Sequence, residues 1–141
     1  MSVTEEIKDK AGDLTEILEL RLAAQQGYVR SQFTLAVKLA KGDGVDRDLD
    51  EAVKWYQKAA DQGFAMAQNN LGVMYVKGEG VEQNYVTAYA WASIAATNGA
   101  KNAQRFKSEF LEKKMTPEQI TKAQALSKEM LKKNPKLIKK P

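Results

Sequence analysis

Apolar side chains in the middle of this chain recur every three or four residues. Ala67, Leu71 and Tyr75 stand at i, i+4 and i+8, and Ala88, Trp91 and Ala95 at i, i+3 and i+7. That spacing places each trio on one face of an α-helix. Between them lies Gly78-Glu79-Gly80-Val81, a turn signal, so the stretch predicts a helical hairpin. The residue just past the first helix is expected in the left-handed region, where a Cβ costs about 1 kcal/mol or more, and Gly78 suits it. Gly80 then lets the backbone reverse, and Val81 is expected to drop into the apolar seam.

The same pattern occurs 36 residues earlier. In that register Gly27, Gln32, Leu35, Val37, Lys41, Gly42, Gly44, Val45, Ala52, Trp55, Ala59 and Ala60 recur as identical residues from Gly63 to Ala96. A period between about 20 and 50 residues signals a stacked array of supersecondary units. Weaker echoes, Ala23-Ala24 with Gln26 upstream and Gly99, Ala103 and Gln104 downstream, predict partial end units that cap the array. The expected division is an N-terminal cap over 1–26, repeats over 27–62 and 63–98, a degenerate repeat and C-terminal cap over 99–133, and a basic tail over 134–141. The fold class is therefore all-α, a solenoid of stacked antiparallel helical hairpins with about seven helices. Small Ala59, Ala60, Ala95 and Ala96 would let backbones approach closely, and Trp55 and Trp91 would each bury on the order of 200 Å² between hairpins. Asp48 and Asn84 are placed to cap the second helix of each hairpin. Further on, Thr116, Pro117 and Gln119 spell a capping box for a closing helix.

Composition narrows the function classes. With no Cys and no His, the chain is excluded from thiol nucleophiles, disulfides, thiolate or imidazole metal sites and His-dependent triads. The net charge of +4 is concentrated in residues 99–141, where twelve basic side chains face four acidic ones. The start, MSVTEEIKDK, has no apolar run, and no stretch approaches the length of a spanning helix, so a cytoplasmic location away from membranes is expected.

The run through Ala67, Leu71-Gly72 with Tyr75, Gly78 to Val81, Ala88 with Trp91, and Ala95-Ala96 with Gly99 resembles the Sel-1-like repeat family, a relative of the tetratricopeptide repeats. The resemblance covers Ala23 to Ala103, with Ala36 in place of a small Gly and Leu39 where Tyr is usual. It implies a right-handed α/α superhelix and a bacterial adaptor that holds a peptide or protein and carries no cofactor. Members linked to β-lactam binding are disulfide-rich, and a chain without Cys lacks that feature.

Other candidate chemistry has structural readings. Asp46, Asp48 and Asp50 alternate as in a calcium loop, but Glu51 and Gln57 occupy the places that need Gly and Glu, and the second copy has Val86 in the series. The Gly-x-Gly turns follow a helix and are not succeeded by Lys-Ser or Lys-Thr, so they do not fit a phosphate loop. Glu5 with Glu6, Asp9 with Asp13, and Glu16 with Glu19 read as a solvated face. Lys128, Lys132, Lys133, Lys136, Lys139 and Lys140 have no interleaved aromatic to stack on bases, and are expected to form a frayed, solubilising tail without specific nucleic-acid binding.

The remaining surface is the inner face of the first helix of each hairpin. There the expected binding groove comprises Arg30, Phe33, Thr34 and Val37, then Met66, Asn69, Asn70 and Val73, then Asn102, Arg105 and Phe106. The asparagines suit a peptide backbone, and the arginines at the two ends suit acidic groups of a partner. The low charge of the second unit also favours a binding surface there. A monomer or weak homodimer is expected. Two other readings are a self-associating module joined through its C-terminal helices and a small carboxylate- or Lys-dependent hydrolase subunit. The latter would need titratable groups to converge, whereas the groove sequence offers Arg30 and Arg105 but no acid.

Overall fold

A computed structural model of the protein describes residues 2–139, with side chains described outside 4–11 and 13. The carboxylates of Glu5, Glu6, Asp9 and Asp13, and Lys140 with Pro141, lie outside the described residues. The elements are α1 (Val3–Gln25), α2 (Val29–Lys41), α3 (Leu49–Asp61), α4 (Ala65–Lys77), α5 (Tyr85–Thr97), α6 (101–114), α7 (Pro117–Lys133) and a 3₁₀ turn at Pro135–Leu137. The described residues contain no strand. Each helix from α1 to α5 packs on its successor, giving stacked antiparallel hairpins in an α/α superhelix. α7 then turns back onto α5.

The hairpin turns follow the residues that predict them. Gly42 (φ 72°) and Gly78 (φ 67°) are left-handed, and their N–H groups donate to Lys38 O and Met74 O. Asp48 and Asn84 accept from the backbone N–H of Glu51 (2.9 Å) and Thr87 (3.1 Å) at the starts of α3 and α5. That occupies the central carboxylate of the calcium-like series with helix capping. Thr116 and Gln119 complete the reciprocal capping box of α7.

The core sits at the joints. Trp55 and Trp91 are buried with Leu35, Leu71, Ala59 and Ala60 in one continuous cluster, against which Val45 and Val81 pack. The Trp55 indole N–H donates to Glu51 (2.9 Å), and Glu51 also receives both guanidinium nitrogens of Arg21, at 2.6 and 3.2 Å. This hydrogen-bonded pair ties α1 to α3, and it holds the Glu51 carboxyl below its ordinary range.

Two features differ from the sequence reading. The first is in α6, which contains a π segment, Phe106–Leu111. There Phe106 and Phe110 stack with ring centroids 5.8 Å apart, while Leu111 is fully buried. The second is the tail, which is folded and not frayed over 134–139. Leu137 is only 2% exposed and belongs to the main core cluster. Asn134 donates its side-chain amide to Asp61 O (2.9 Å), and the backbone beyond it engages Gln68 and Asn98. No helix among the described residues is long and apolar enough to cross a membrane.

Candidate protein-binding surfaces

The predicted groove residues separate into three groups. Phe33, Val37 and Val73 are half-buried, and Phe33 packs edge-on against Tyr56 (5.9 Å) and tilted against Phe64 (5.1 Å). Phe33 and Val37 pack against the main core cluster. Arg30, Thr34, Met66, Asn102 and Arg105 are exposed. Arg30 lies over the Phe64 ring at 5.9 Å and shares a surface cavity of about 290 Å³ with Met66, Asn98 and Lys139. Arg105 is paired with Glu109, one turn along, at 3.5 Å. Sequence reasoning placed no acid on that face, because it did not carry the helix through Glu109. The two ends of the groove therefore differ: Arg30 faces another cation, Lys139, across the shared cavity, whereas Arg105 is already compensated.

The two asparagines also differ. The Asn70 amide donates to the Tyr56 hydroxyl at 3.5 Å, the outer limit of a hydrogen bond, so it belongs to the joint between hairpins. Asn69 Oδ1 is buried and accepts no hydrogen bond from the described residues. Burying an acceptor unpaired costs about 1–3 kcal/mol, a cost that turning this half-buried side chain outward to meet a donor would recover.

A second polar constellation runs along the inter-repeat turns. Buried Gln32 and Gln68 donate to Ala24 O (3.1 Å) and Ala60 O (3.0 Å). Gln62 donates to Gln32 Oε1 (2.7 Å), and Asn98, one period later, to Gln68 Oε1 (2.9 Å). These groups latch each unit to the next. Sequence reasoning noted that Gln32 and Gln68 recur and assigned them no role. A polar identity on an otherwise apolar helix face was the available signal.

In the second unit this latch also holds the tail. Leu137 O accepts from Gln68 Nε2 (2.9 Å) and Asn98 Nδ2 (2.6 Å), while the Lys139 N–H donates to Asn98 Oδ1 (2.9 Å). A Cβ on Gly63 would lie 2.6 Å from Lys136 O, so the segment is seated against bare backbone.

Tyr89, Glu112 and Lys107 form a second group of titratable side chains, besides Arg21 and Glu51. The Tyr89 hydroxyl donates to Glu112 at 2.9 Å, and the Lys107 ammonium sits 5.0 Å from the ring centroid. Burial first, then Glu112, pushes the Tyr89 hydroxyl up to about 12, and burial lowers the Lys107 ammonium. Tyr89 is buried in the cluster that joins α5, α6 and α7, which makes the contact a structural one. The apolar faces of the C-terminal helices are likewise engaged within the chain, Ala123 and Leu111 with α5 and Leu137 with the main core. The dimer contact expected of those helices would have to use their remaining, charged surface.

No curated protein matches the sequence. The Sel1 repeat profile matches residues 29–64 and 65–99. Among solved structures, the chain is similar to a protective antigen present in uropathogenic Escherichia coli strains displaying an SLR fold, with 38% identity and a TM-score of 0.79. That match covers 86% of this chain and 26% of the antigen, so the chain spans about a quarter of that relative's length. It is also similar to a Sel1 repeat protein from Oxalobacter formigenes, with 32% identity, a TM-score of 0.65, and 85% of this chain and 88% of that one covered. The repeat register, the hairpin stack and these likenesses agree, and the chain belongs to the Sel1 repeat family, whose members generally mediate protein–protein interactions.

Proposed function

We propose that this protein is a non-enzymatic adaptor whose concave face, along α2, α4 and α6, takes an extended peptide or protein segment. The carrying observation is Asn69 Oδ1, an unpaired buried acceptor at the centre of the predicted groove. A peptide N–H from a partner would satisfy it once the side chain turns outward, and half-buried Phe33, Val37 and Val73 on α2 and α4 offer apolar contact. The Arg30 end, with Lys139 nearby, favours an acidic group in the partner, whereas Arg105 with its Glu109 contributes little net charge.

Asn69→Ala separates binding from folding. Removing an unpaired acceptor and adding a better helix former should leave the fold intact and raise stability by about 1 kcal/mol. Partners captured on the wild-type protein from the native organism should be lost or weakened roughly tenfold on the variant, the equivalent of one hydrogen bond in a desolvated site. Unchanged capture, or capture lost together with a lower melting temperature, would refute the groove assignment.

A further inference from the structure

Among the described residues the inter-repeat latch is built twice, and its second copy alone holds a peptide segment. In the occupied copy, Gly63, Gln68 and Asn98 surround Lys136 to Lys139, and the segment buries Gly63. One period earlier stand Gly27, Gln32 and Gln62, with the same internal bonds: Gln32 to Ala24 O at 3.1 Å, Gln62 to Gln32 Oε1 at 2.7 Å and Gln62 to Gly27 O at 3.3 Å. Gly27 has the same positive φ, 97° against 87° for Gly63, yet a Cβ there would meet nothing within 4 Å. Its neighbour Tyr28 is 64% exposed, although the equivalent Phe64 is covered by Phe33 and Arg30 and borders the cavity that Lys139 enters.

Gln68 Nε2 uses both its hydrogens, one on Ala60 O and one on Leu137 O. Gln32 Nε2 makes the first of these bonds and, among the described residues, no second. A depression of about 480 Å³ is lined by Gln62 of the first copy together with Pro135, Lys136 and Ile138 of the tail. That volume accommodates side chains of a second segment running beside the first.

We propose that Gly27, Gln32 and Gln62 form a second peptide site, which takes an extended segment of a partner protein with the chemistry of Pro135–Lys139. An apolar residue would present its carbonyl to Gln32 and Gln62 and be followed by a second apolar residue and then a basic one, as Leu137 is by Ile138 and Lys139. The site lies on the inter-repeat turns, so it stands or falls independently of the concave groove and of Asn69. Recognition is through main-chain atoms, as in other extended-peptide sites, with the glycine allowing close approach.

The test titrates the synthetic peptide NPKLIKKP, the chain's own last eight residues, into isotope-labelled full-length protein while amide NMR signals are followed. The untethered peptide lacks the effective concentration of the attached tail, so saturation is expected at roughly 0.1–1 mM. The expected shifts are in the Gly27 backbone amide and the Gln32 and Gln62 side-chain amides. Gln62→Ala should weaken binding about fivefold or more, Gln62→Asn should retain it because Asn98 performs this role in the occupied copy, and a peptide with Asp in place of Leu should fail. Shifts confined to Gly63, Gln68 and Asn98 would mean that the peptide only displaces the tail and would overturn the proposal, as would no saturation at Gly27. The same shifts appearing when the protein alone is concentrated would assign the site to a second copy of this chain, and would overturn the assignment to a separate partner.

Discussion

Helices α3 and α5 occupy equivalent places in successive repeats and keep the same Ala-x-x-Trp-x-x-x-Ala-Ala inner face, yet their outer faces are opposites. Asp50, Lys54 and Lys58 of α3 are exposed, and Lys58 lies over the Trp55 ring at 4.7 Å. The corresponding Val86, Ala90 and Ile94 of α5 are half-buried or buried. The difference is α7, which packs on α5 and has no counterpart over α3. A helix that is apolar all round is one that is covered all round. The low charge of the second unit, which favoured a binding surface on sequence grounds, instead records an intramolecular neighbour. In α1 the same three positions are Leu14, Leu18 and Leu22, exposed at 62%, 61% and 59%.

Exchanging residues between the two helices should break the comparison most sharply. Ala90→Lys places α3's residue under α7, where an ammonium has no partner and no room, and a loss of about 3 kcal/mol or more is expected in urea denaturation. The reciprocal Lys54→Ala, on an open face, should stay within about 0.5 kcal/mol. Similar losses for both would mean that α7 does not cover α5 in solution.

The glycines of the hairpin turns offer a smaller contrast. Gly44 and Gly80 have nearly the same φ, 73° and 72°. A Cβ at Gly44 would rest 3.9 Å from Ile17, whereas one at Gly80 would collide with Leu49 O and lie 2.7 Å from Val53 Cγ2. Gly44→Ala should cost about 1 kcal/mol for the left-handed backbone alone, and Gly80→Ala about 2–4 kcal/mol, because the α3 backbone must also move. Equal costs by thermal denaturation would show that the second turn is not pressed against α3.

Smallest is a pH effect centred on the second unit, where Tyr89 replaces Val53. Its hydroxyl is raised to about 12 in the folded state, while an unfolded tyrosine ionises near 10. The stabilisation is therefore complete below about pH 10 and is lost as pH rises through 12. Denaturation midpoints should fall over that window, and Tyr89→Phe should flatten part of the fall. Tyr56, also raised by burial, accounts for some of the remainder. An identical slope in the variant would contradict the assignment.

Everything governed by local chemistry was legible in the residues. The period of 36 fixed the hairpins, Gly42 and Gly78 the helix ends, Asp48, Asn84 and Thr116 the caps, and the tryptophans the joints. Those features depend on backbone preferences and apolar periodicity within a few turns of chain. The distinct environments of Asn69 and Asn70, neighbours on the predicted groove face, were not legible. The hydroxyl that Asn70 meets belongs to another helix.

Tertiary structure alone decided which surfaces are shared with the rest of the chain. The bond from Gln68 to Leu137 spans 69 residues, and that from Asn98 to Leu137 spans 39. A lysine-rich segment reads as solvated by composition, yet one buried leucine and four side-chain amide bonds dock it, because the turn at Gly63 leaves backbone close enough to meet. Local sequence carries no term for such a meeting. It exists only once the stack has brought α3, α5 and the C-terminus to the same edge.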